Sequence, residues 1–191
     1  MGVNKKTFSE DEAPQRAPLK YHEVLDPFLD VIDEFYYECD IEVYRTAVNN
    51  PPTEFDITPK IHRFEGTQGK ELPFAYTQED IDSMEVEEKR IEVGHHAISV
   101  HKTEAKEIKE ARRSAVSFEK NHSEEETEDY KYNQRGTYVM KLHITPDKAL
   151  VSRTFHSSTG HANVLLREGV KIEDLLVEEY EIKEFKYDDD K

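Results

Sequence analysis

The sequence predicts a single α+β domain in which helices come early and a mainly antiparallel sheet comes late. A chain of 191 residues is long enough for one domain with a sizeable core. An apolar stripe at helical spacing follows Asp26-Pro27, and apolar side chains alternate with polar ones over 137–144. We place the domain at residues 21–186, between a flexible N-terminal arm, residues 1–20, and an acidic tail, residues 187–191.

The first half of the chain carries three helix signals and two strand signals. Asp26 before Pro27 is typical of a helix start. The short aspartate side chain can accept hydrogen bonds from the free backbone amides of the first turn, and the fixed φ angle of proline suits the first helical position. Thr77 and Thr103 are N-cap residues of the same kind. The predicted elements, in order, are a helix from Asp26, a strand Ile41–Ala47, a short helix from Thr77, a strand over 91–102 and a helix from Thr103.

The second half of the chain predicts most of the sheet. Residues 119–135 open with six carboxylates against one lysine in 119–129, a charge density that predicts a mobile loop. Period-2 alternation then predicts a half-buried strand. Strand candidates cover 137–144, 149–155, 162–167 and 177–185, with one helical turn over 172–176.

The charge of the chain limits its partners. Forty-two acidic and 26 basic residues give a net charge of −16, so we expect no binding to nucleic acid phosphates or to an anionic membrane surface. Solubility, a basic protein partner and mimicry of nucleic acid are compatible with this charge. No apolar run approaches the length of a membrane span, and the N-terminus lacks the apolar core of a signal peptide, so we expect a cytoplasmic protein.

The chain lacks the short motifs of metal sites and nucleophilic hydrolases. Nine histidines are present, but none follows a metal-ligand spacing such as HExxH, so no metal is expected. No serine lies in a Gly-x-Ser-x-Gly elbow, and the sequence contains no glycine-rich loop of the kind that binds phosphate groups. The sequence therefore gives no support to a hydrolase or a nucleotide kinase.

Three separated blocks carry a resemblance to a group of short uncharacterised bacterial proteins. These proteins share Tyr-Arg with Asn-Pro-Pro-Thr and a following acidic residue, Ser-Val before a helix, and a late Arg-Thr with Gly-His. The matching positions here are Tyr44, Arg45, Asn50, Pro51, Pro52, Thr53, Asp56, Ser99, Val100, Arg153, Thr154, Gly160 and His161. The match covers about residues 42 to 182 and says nothing about activity.

The same order resembles, more distantly, the ADP-ribosyltransferase superfamily. That resemblance implies an NAD-binding protein in which Arg45 contacts the cofactor and Ser99 holds its nicotinamide side. Its third position falls at His161 or Asn163, where the superfamily uses a glutamate to stabilise an oxocarbenium-like state. Ser99 and His161 are thus the candidate catalytic residues, and the candidate cofactor-binding residues are Tyr44, Arg45, His96 and Asn163. The missing glutamate leaves open whether catalysis is retained.

Each candidate position also has a plain structural interpretation. Arg45 can pair with a surface carboxylate, Ser99 can be tolerated in a strand, and His161 can cap a turn or bond a backbone carbonyl. The competing function is a non-enzymatic acidic protein that binds a basic partner through residues 119–129 and the tail.

Overall fold

The structure is a computed structural model that describes residues 16–63, 76–177, 179 and 182–187. Its α-helices are α1 His22–Leu25, α2 Leu29–Phe35, α3 Lys60–Arg63, α4 Gln78–Ser83, α5 Val86–His95, α6 Glu104–Glu119, α7 Glu124–Asp129 and α8 Ile172–Leu175. Its strands are β1 Tyr36–Tyr37, β2 Ile41–Ala47, β3 Ile98–His101, β4 Tyr138–Ile144, β5 Ala149–Ser152, β6 His161–Leu166 and β7 Lys183–Glu184. Short 3-10 turns lie at Asp26–Phe28, Glu54–Ile57 and Arg153–His156, and a π-helix lies at Tyr130–Arg135.

The described strands form one sheet in the order β1-β5-β6-β3-β2-β4-β7, and every neighbouring pair is antiparallel. The α+β prediction is therefore confirmed. The centre of the sheet combines strands from distant parts of the chain, because β3 lies between β6 and β2. The strands β2 and β4 pair along their full length, from Ile41–Ile144 to Ala47–Tyr138.

Alternation along the strands divides the core between the two faces of the sheet. One face carries the largest cluster, which includes Val43, Val100, Leu142 and Val164. The opposite face is covered in two places: α2 and α5 pack near Leu165, and α6 packs through Ala111 and Ala115 near Val139. The polar face of β3 and β6 lies between these two groups of helices.

Helix α6 follows its sequence signals closely. The Thr103 side chain accepts a hydrogen bond from the Lys106 amide, as the N-cap prediction requires. Ala111 and Ala115 are buried, so small residues pack this part of the helix on the sheet. Thr77 likewise caps α4 and shares a capping box with Asp80.

The predicted strand over 91–102 is wrong in its first half. Residues up to His95 belong to helix α5, and the strand is limited to Ile98–His101. The carboxylate of Glu88 accepts from the Glu85 amide at 2.8 Å in a capping box at the start of the helix. This local signal outweighs the strand-like alternation of Ile91 and Val93.

The predicted helix start at Asp26 is also displaced. Helical structure begins earlier, at His22, and Asp26 is the first residue of a 3-10 turn whose N-cap position is Leu25. The apolar stripe of this region packs in part: Phe28 and Ile32 are almost fully buried, whereas Leu29 is exposed.

The acidic region 119–135 is helical rather than a loop. The Ser123 hydroxyl and the Glu126 carboxylate form a capping box at the start of α7, and the glutamates of its first turn lie at the positive end of the helix. The π-helix Tyr130–Arg135 then leads into β4.

The described ends of the chain pack on the fold, unlike the predicted arm and tail. Residues 1–15 and 188–191 lie outside the described residues, but the Lys20 amide donates to the Leu166 carbonyl at 2.8 Å and Tyr187 is buried. Within the predicted strand 177–185, the described strand is Lys183–Glu184, which pairs with β4, and the Val177 and Phe185 amides donate to the Lys141 and Thr137 carbonyls.

Candidate functional site

A cavity of about 580 Å³ opens where β2 and β3 separate. Its lining is rich in cations and in groups from distant parts of the chain: Arg45, Thr46, Lys60, Ile61, Arg63, Gly94, His95, Ala97, Ser99, Tyr130, Gln134, Arg135 and Asn163. The volume lies within the usual range for small-molecule sites.

The separation of β2 from β3 creates this cavity. The two strands pair at Tyr44–His101. Beyond that pair, the Thr46 amide donates to Glu107 Oε1 at 2.9 Å, and Arg45 Nη1 donates to the Ser99 carbonyl at 2.6 Å. Side chains thus satisfy backbone groups that a neighbouring strand would otherwise bond.

Glu107 is the buried anion beneath the cavity. Its Oε2 lies 2.6 Å from His101 Nδ1, and its Oε1 lies 3.4 Å from Arg135 Nη2. Burial opposes ionisation of Glu107, but the hydrogen bond with His101 and the charge of Arg135 outweigh it and lower the pKa of this carboxyl. Glu107 is therefore ionised at neutral pH.

The guanidinium groups of Arg45 and Arg63 donate hydrogen bonds to backbone carbonyl oxygens in the wall of the cavity. Arg45 Nε donates to the Asp56 carbonyl at 2.7 Å, and Arg63 Nε donates to the Thr58 carbonyl at 2.8 Å. A second Arg63 nitrogen, Nη1, donates to the Gln134 carbonyl at 3.1 Å. Because these acceptors are uncharged, the hydrogen bonds orient the guanidinium groups without neutralising them.

The cations at the cavity repel one another. Burial, together with the charges of Arg63 and Arg135, lowers the pKa of Arg45 to about 9. Burial also lowers the pKa of Arg63. The Asp56 carboxylate opposes this shift, and the charge of Arg135 adds to it. Lys60 adds a further cation, with its Nζ 5.7 Å from the centre of the Tyr130 ring. Four basic side chains thus line one cavity in a chain of net charge −16, so the cavity is a cationic site in an acidic chain.

Ser99 and His161 form a hydrogen-bonded pair at the edge of the cavity. The Ser99 Oγ lies 2.7 Å from His161 Nε2. The register of β3 and β6 fixes this contact, because Ser99 pairs with Asn163 and His101 pairs with His161. Burial and the nearby charge of His101 lower the pKa of His161, so its imidazole is neutral at pH 7.

The predicted site residues divide into two groups. Arg45, Ser99 and Asn163 line the cavity, and His161 joins them through Ser99. Tyr44 packs instead against the cluster around Ala111 and Ala115 and is absent from the described lining. Arg45 is buried and bonds carbonyl oxygens, so the interpretation as a surface ion pair is wrong.

His96 lies in a separate buried cluster. Its Nδ1 lies 2.8 Å from His62 Nε2, and the Tyr21 ring stacks on His62 with centroids 3.6 Å apart. Burial, followed by the neighbouring His62, lowers the pKa of His96. His96 is not among the described residues that line the cavity.

Arg63, Arg135 and Glu107 were missed as site residues. Arg63 and Arg135 come from α3 and the π-helix, and neither belongs to a motif that the sequence displays. Glu107 is one of many glutamates. Its signal was its position on the buried side of α6, one turn before Ala111.

A second cavity of about 350 Å³ adjoins the first. The two share Gly94, His95 and Asn163 in their linings. Helix α5 approaches β6 closely here, since a Cβ on Gly94 would lie 3.1 Å from Asn163 Nδ2. The second cavity is also lined by Phe35 and Tyr36. An aromatic ring of a ligand could therefore pack against aromatic side chains there.

The described residues offer neither a metal site nor a membrane span. No group of three or more His, Cys, Asp or Glu side chains within them is placed to hold a metal ion. None of their helices is long and apolar enough to cross a membrane.

Comparison with protein-family models, with curated proteins and with solved structures gave no significant match to this chain.

Proposed function

We propose that the protein binds a phosphorylated nucleotide, with NAD as the leading candidate, in the cavity between β2 and β3. One observation carries the proposal: Arg45, Arg63, Arg135 and Lys60 converge on one cavity in a chain of net charge −16. Their mutual repulsion is unfavourable, and a bound anion relieves it.

A dinucleotide suits the shape of the site. Its phosphates would meet the arginines, and a ring would reach the adjoining cavity past Gly94 and Asn163. This arrangement agrees with the resemblance to ADP-ribosyltransferases in the placement of Arg45 and Ser99. None of the described residues that line the first cavity, beside Ser99, is Asp or Glu, and Glu87 lines only the second, so the proposal concerns binding and not ribosyl transfer.

Calorimetric titration with NAD, ADP-ribose, ADP and adenosine tests the proposal. We expect the three phosphorylated ligands to bind and adenosine to give no heat. Arg63→Gln should weaken binding at least about tenfold, because a charge-assisted hydrogen bond contributes about 1.5–3 kcal/mol. The matched control is Arg113→Gln, on the exposed surface of α6, and it should bind as the native chain does. Equal affinity for ADP and adenosine, or no binding of any phosphorylated ligand, would contradict the proposal.

A second candidate is binding of a basic protein partner. The observation that favours it is that α7 presents exposed carboxylates, Glu124 and Glu125, on an ordered helix. Partners captured by the native chain should be lost at high salt and lost with the double change Glu124→Gln and Glu125→Gln. Unchanged capture by that variant would exclude this surface.

A further inference from the structure

The Ser99 hydroxyl lies between a base and a cationic cavity. Its oxygen lies 2.7 Å from His161 Nε2, and the residue lines the cavity that also holds Arg45 and Arg135. The sequence contains no nucleophile elbow, so this arrangement is visible only in the fold.

The contact has the geometry of an activated nucleophile. A serine hydroxyl is a weak nucleophile until a base within hydrogen-bond reach removes its proton. Neutral imidazole with its proton on Nδ1 leaves Nε2 as the acceptor, and the Ser99 hydroxyl then donates to it. Because both residues lie on paired strands of the central sheet, their separation does not depend on a loop.

The surrounding charges select the substrate. Arg45 Nη1 lies 2.6 Å from the carbonyl oxygen of Ser99 itself, so a guanidinium group stands beside the nucleophile. Planar guanidinium groups suit phosphate oxygens, and they stabilise the negative charge of a phosphoryl group during its transfer.

We infer that Ser99 and His161 form a nucleophile and general-base pair that hydrolyses a phosphate ester or phosphoanhydride bond. Ser99 Oγ forms a bond to phosphorus as the bond from phosphorus to the leaving oxygen breaks, and the serine proton passes to His161 Nε2. His161 gives that proton to the leaving oxygen. Water then attacks the phosphorus of the phosphoserine while His161 Nε2 accepts a proton from it. The bond from phosphorus to Ser99 Oγ breaks, phosphate leaves, and His161 returns the proton to Ser99 Oγ, which restores the serine.

This inference rests on the anion-binding part of the proposed function and does not require NAD. It gives His161 a chemical role at the position where the resemblance would place a glutamate. It also explains why the hydroxyl faces a cationic cavity rather than the apolar core.

The test is covalent labelling of the full chain with a fluorophosphonate probe, followed by mass spectrometry of the peptide that contains Ser99. Attack by Ser99 expels fluoride and leaves a stable adduct, so labelling reports the nucleophile directly. We expect one adduct, on Ser99, whose rate of formation rises with pH as His161 loses its proton.

Three variants make the test specific. Ser99→Ala should lose the adduct, and His161→Gln should slow labelling at least about a hundredfold, as expected when a general base is removed. The control is Ser117→Ala, on the exposed side of α6, and it should label at the native rate. Circular dichroism and melting temperature verify that each variant is folded.

Two results would overturn the inference: no adduct on Ser99 in the folded native chain, or native labelling rates for folded His161→Gln. The calorimetric titration separates this outcome from failure of the proposed function. Binding of ADP-ribose without labelling rejects the catalytic pair alone, whereas labelling without binding of any nucleotide supports the pair and rejects the nucleotide.

Discussion

At the scale of single residues, Glu107 connects three parts of the fold. It accepts from the Thr46 amide on β2, contacts His101 on β3 and lies 3.4 Å from Arg135. Removing one partner of such a buried network leaves the remaining polar groups without compensation. Glu107 therefore supports the opening between β2 and β3 and is a positioning residue for the cavity.

Glu107→Ala should lower the free energy of unfolding by ~3 kcal/mol, because it leaves the Thr46 amide and the His101 ring buried without their acceptor. Urea denaturation measures this loss. The control, Glu110→Ala, removes a nearby carboxylate on the same helix that pairs with exposed Arg113, and it should cost less than about 0.5 kcal/mol. Similar losses for both variants would contradict the role of Glu107.

Acidification should destabilise the fold through His96 and His161. Burial lowers the pKa of both side chains in the folded state, whereas the unfolded chain takes up protons near pH 6.5. Their contribution to stability is thus present above about pH 6.5 and is lost as the pH falls below it. Urea midpoints should fall from pH 7.5 to pH 5.5, and less steeply in His161→Gln. An identical slope in that variant would exclude a contribution from His161.

At the scale of elements, local signals succeeded where they were strong and close together. The N-cap signal at Thr103 was enough to predict α6, and the alternation over 137–144 was enough to predict β4. The errors at α5 and α7 have a common cause: capping boxes led by Glu85 and Ser123 decide those helices, while alternation and charge density suggested other structures.

The candidate site was predictable in part for the same reason. Arg45 and Ser99 lie on strands that the sequence indicates, and His161 directly precedes the predicted strand 162–167 and is the first residue of β6. Their positions followed once the strands formed neighbours. Arg63 and Arg135 reach the cavity from separate helical segments 72 positions apart in the numbering, and only the tertiary fold brings them together. Pairing of β3 with both β2 and β6 is likewise a long-range property that no local pattern specifies.

The junction between the π-helix and β4 should be intolerant of a side chain. Gly136 has φ +91°, and a Cβ there would lie 2.1 Å from the Ala47 carbonyl oxygen, so Gly136→Ala should cost at least about 3 kcal/mol. Gly169 also has positive φ, +77°, but no atom lies within 4 Å of the position that its Cβ would take, so Gly169→Ala should cost about 1 kcal/mol. Thermal or urea unfolding compares the two, and equal costs would contradict the clash at Ala47.

At the scale of the whole molecule, the charges of the protein act on an anionic ligand in opposite ways at long and at short distance. The net charge of −16 repels an anionic ligand over long distances, while the cations of the cavity attract it at short range. Salt screens distant charges more completely than close, partly buried ones. Ionic strength therefore separates the two contributions.

We expect ADP-ribose to associate faster when salt is raised from about 10 mM to about 150 mM, because the Debye length falls from about 30 Å to about 8 Å and the long-range repulsion fades first. Stopped-flow measurement of the association rate checks this. The double variant Glu124→Gln and Glu125→Gln should show a shallower dependence. A steep fall of the rate with salt would mean that long-range attraction dominates, contrary to the charge distribution.

A co-crystal structure with ADP-ribose would decide whether the arginines between β2 and β3 bind phosphates, on which the proposed function depends. We expect phosphate oxygens within hydrogen-bond distance of Arg63 or Arg135, with the ligand passing Ser99. A ligand bound elsewhere on the surface, or a cavity that excludes the phosphates, would contradict the proposed function.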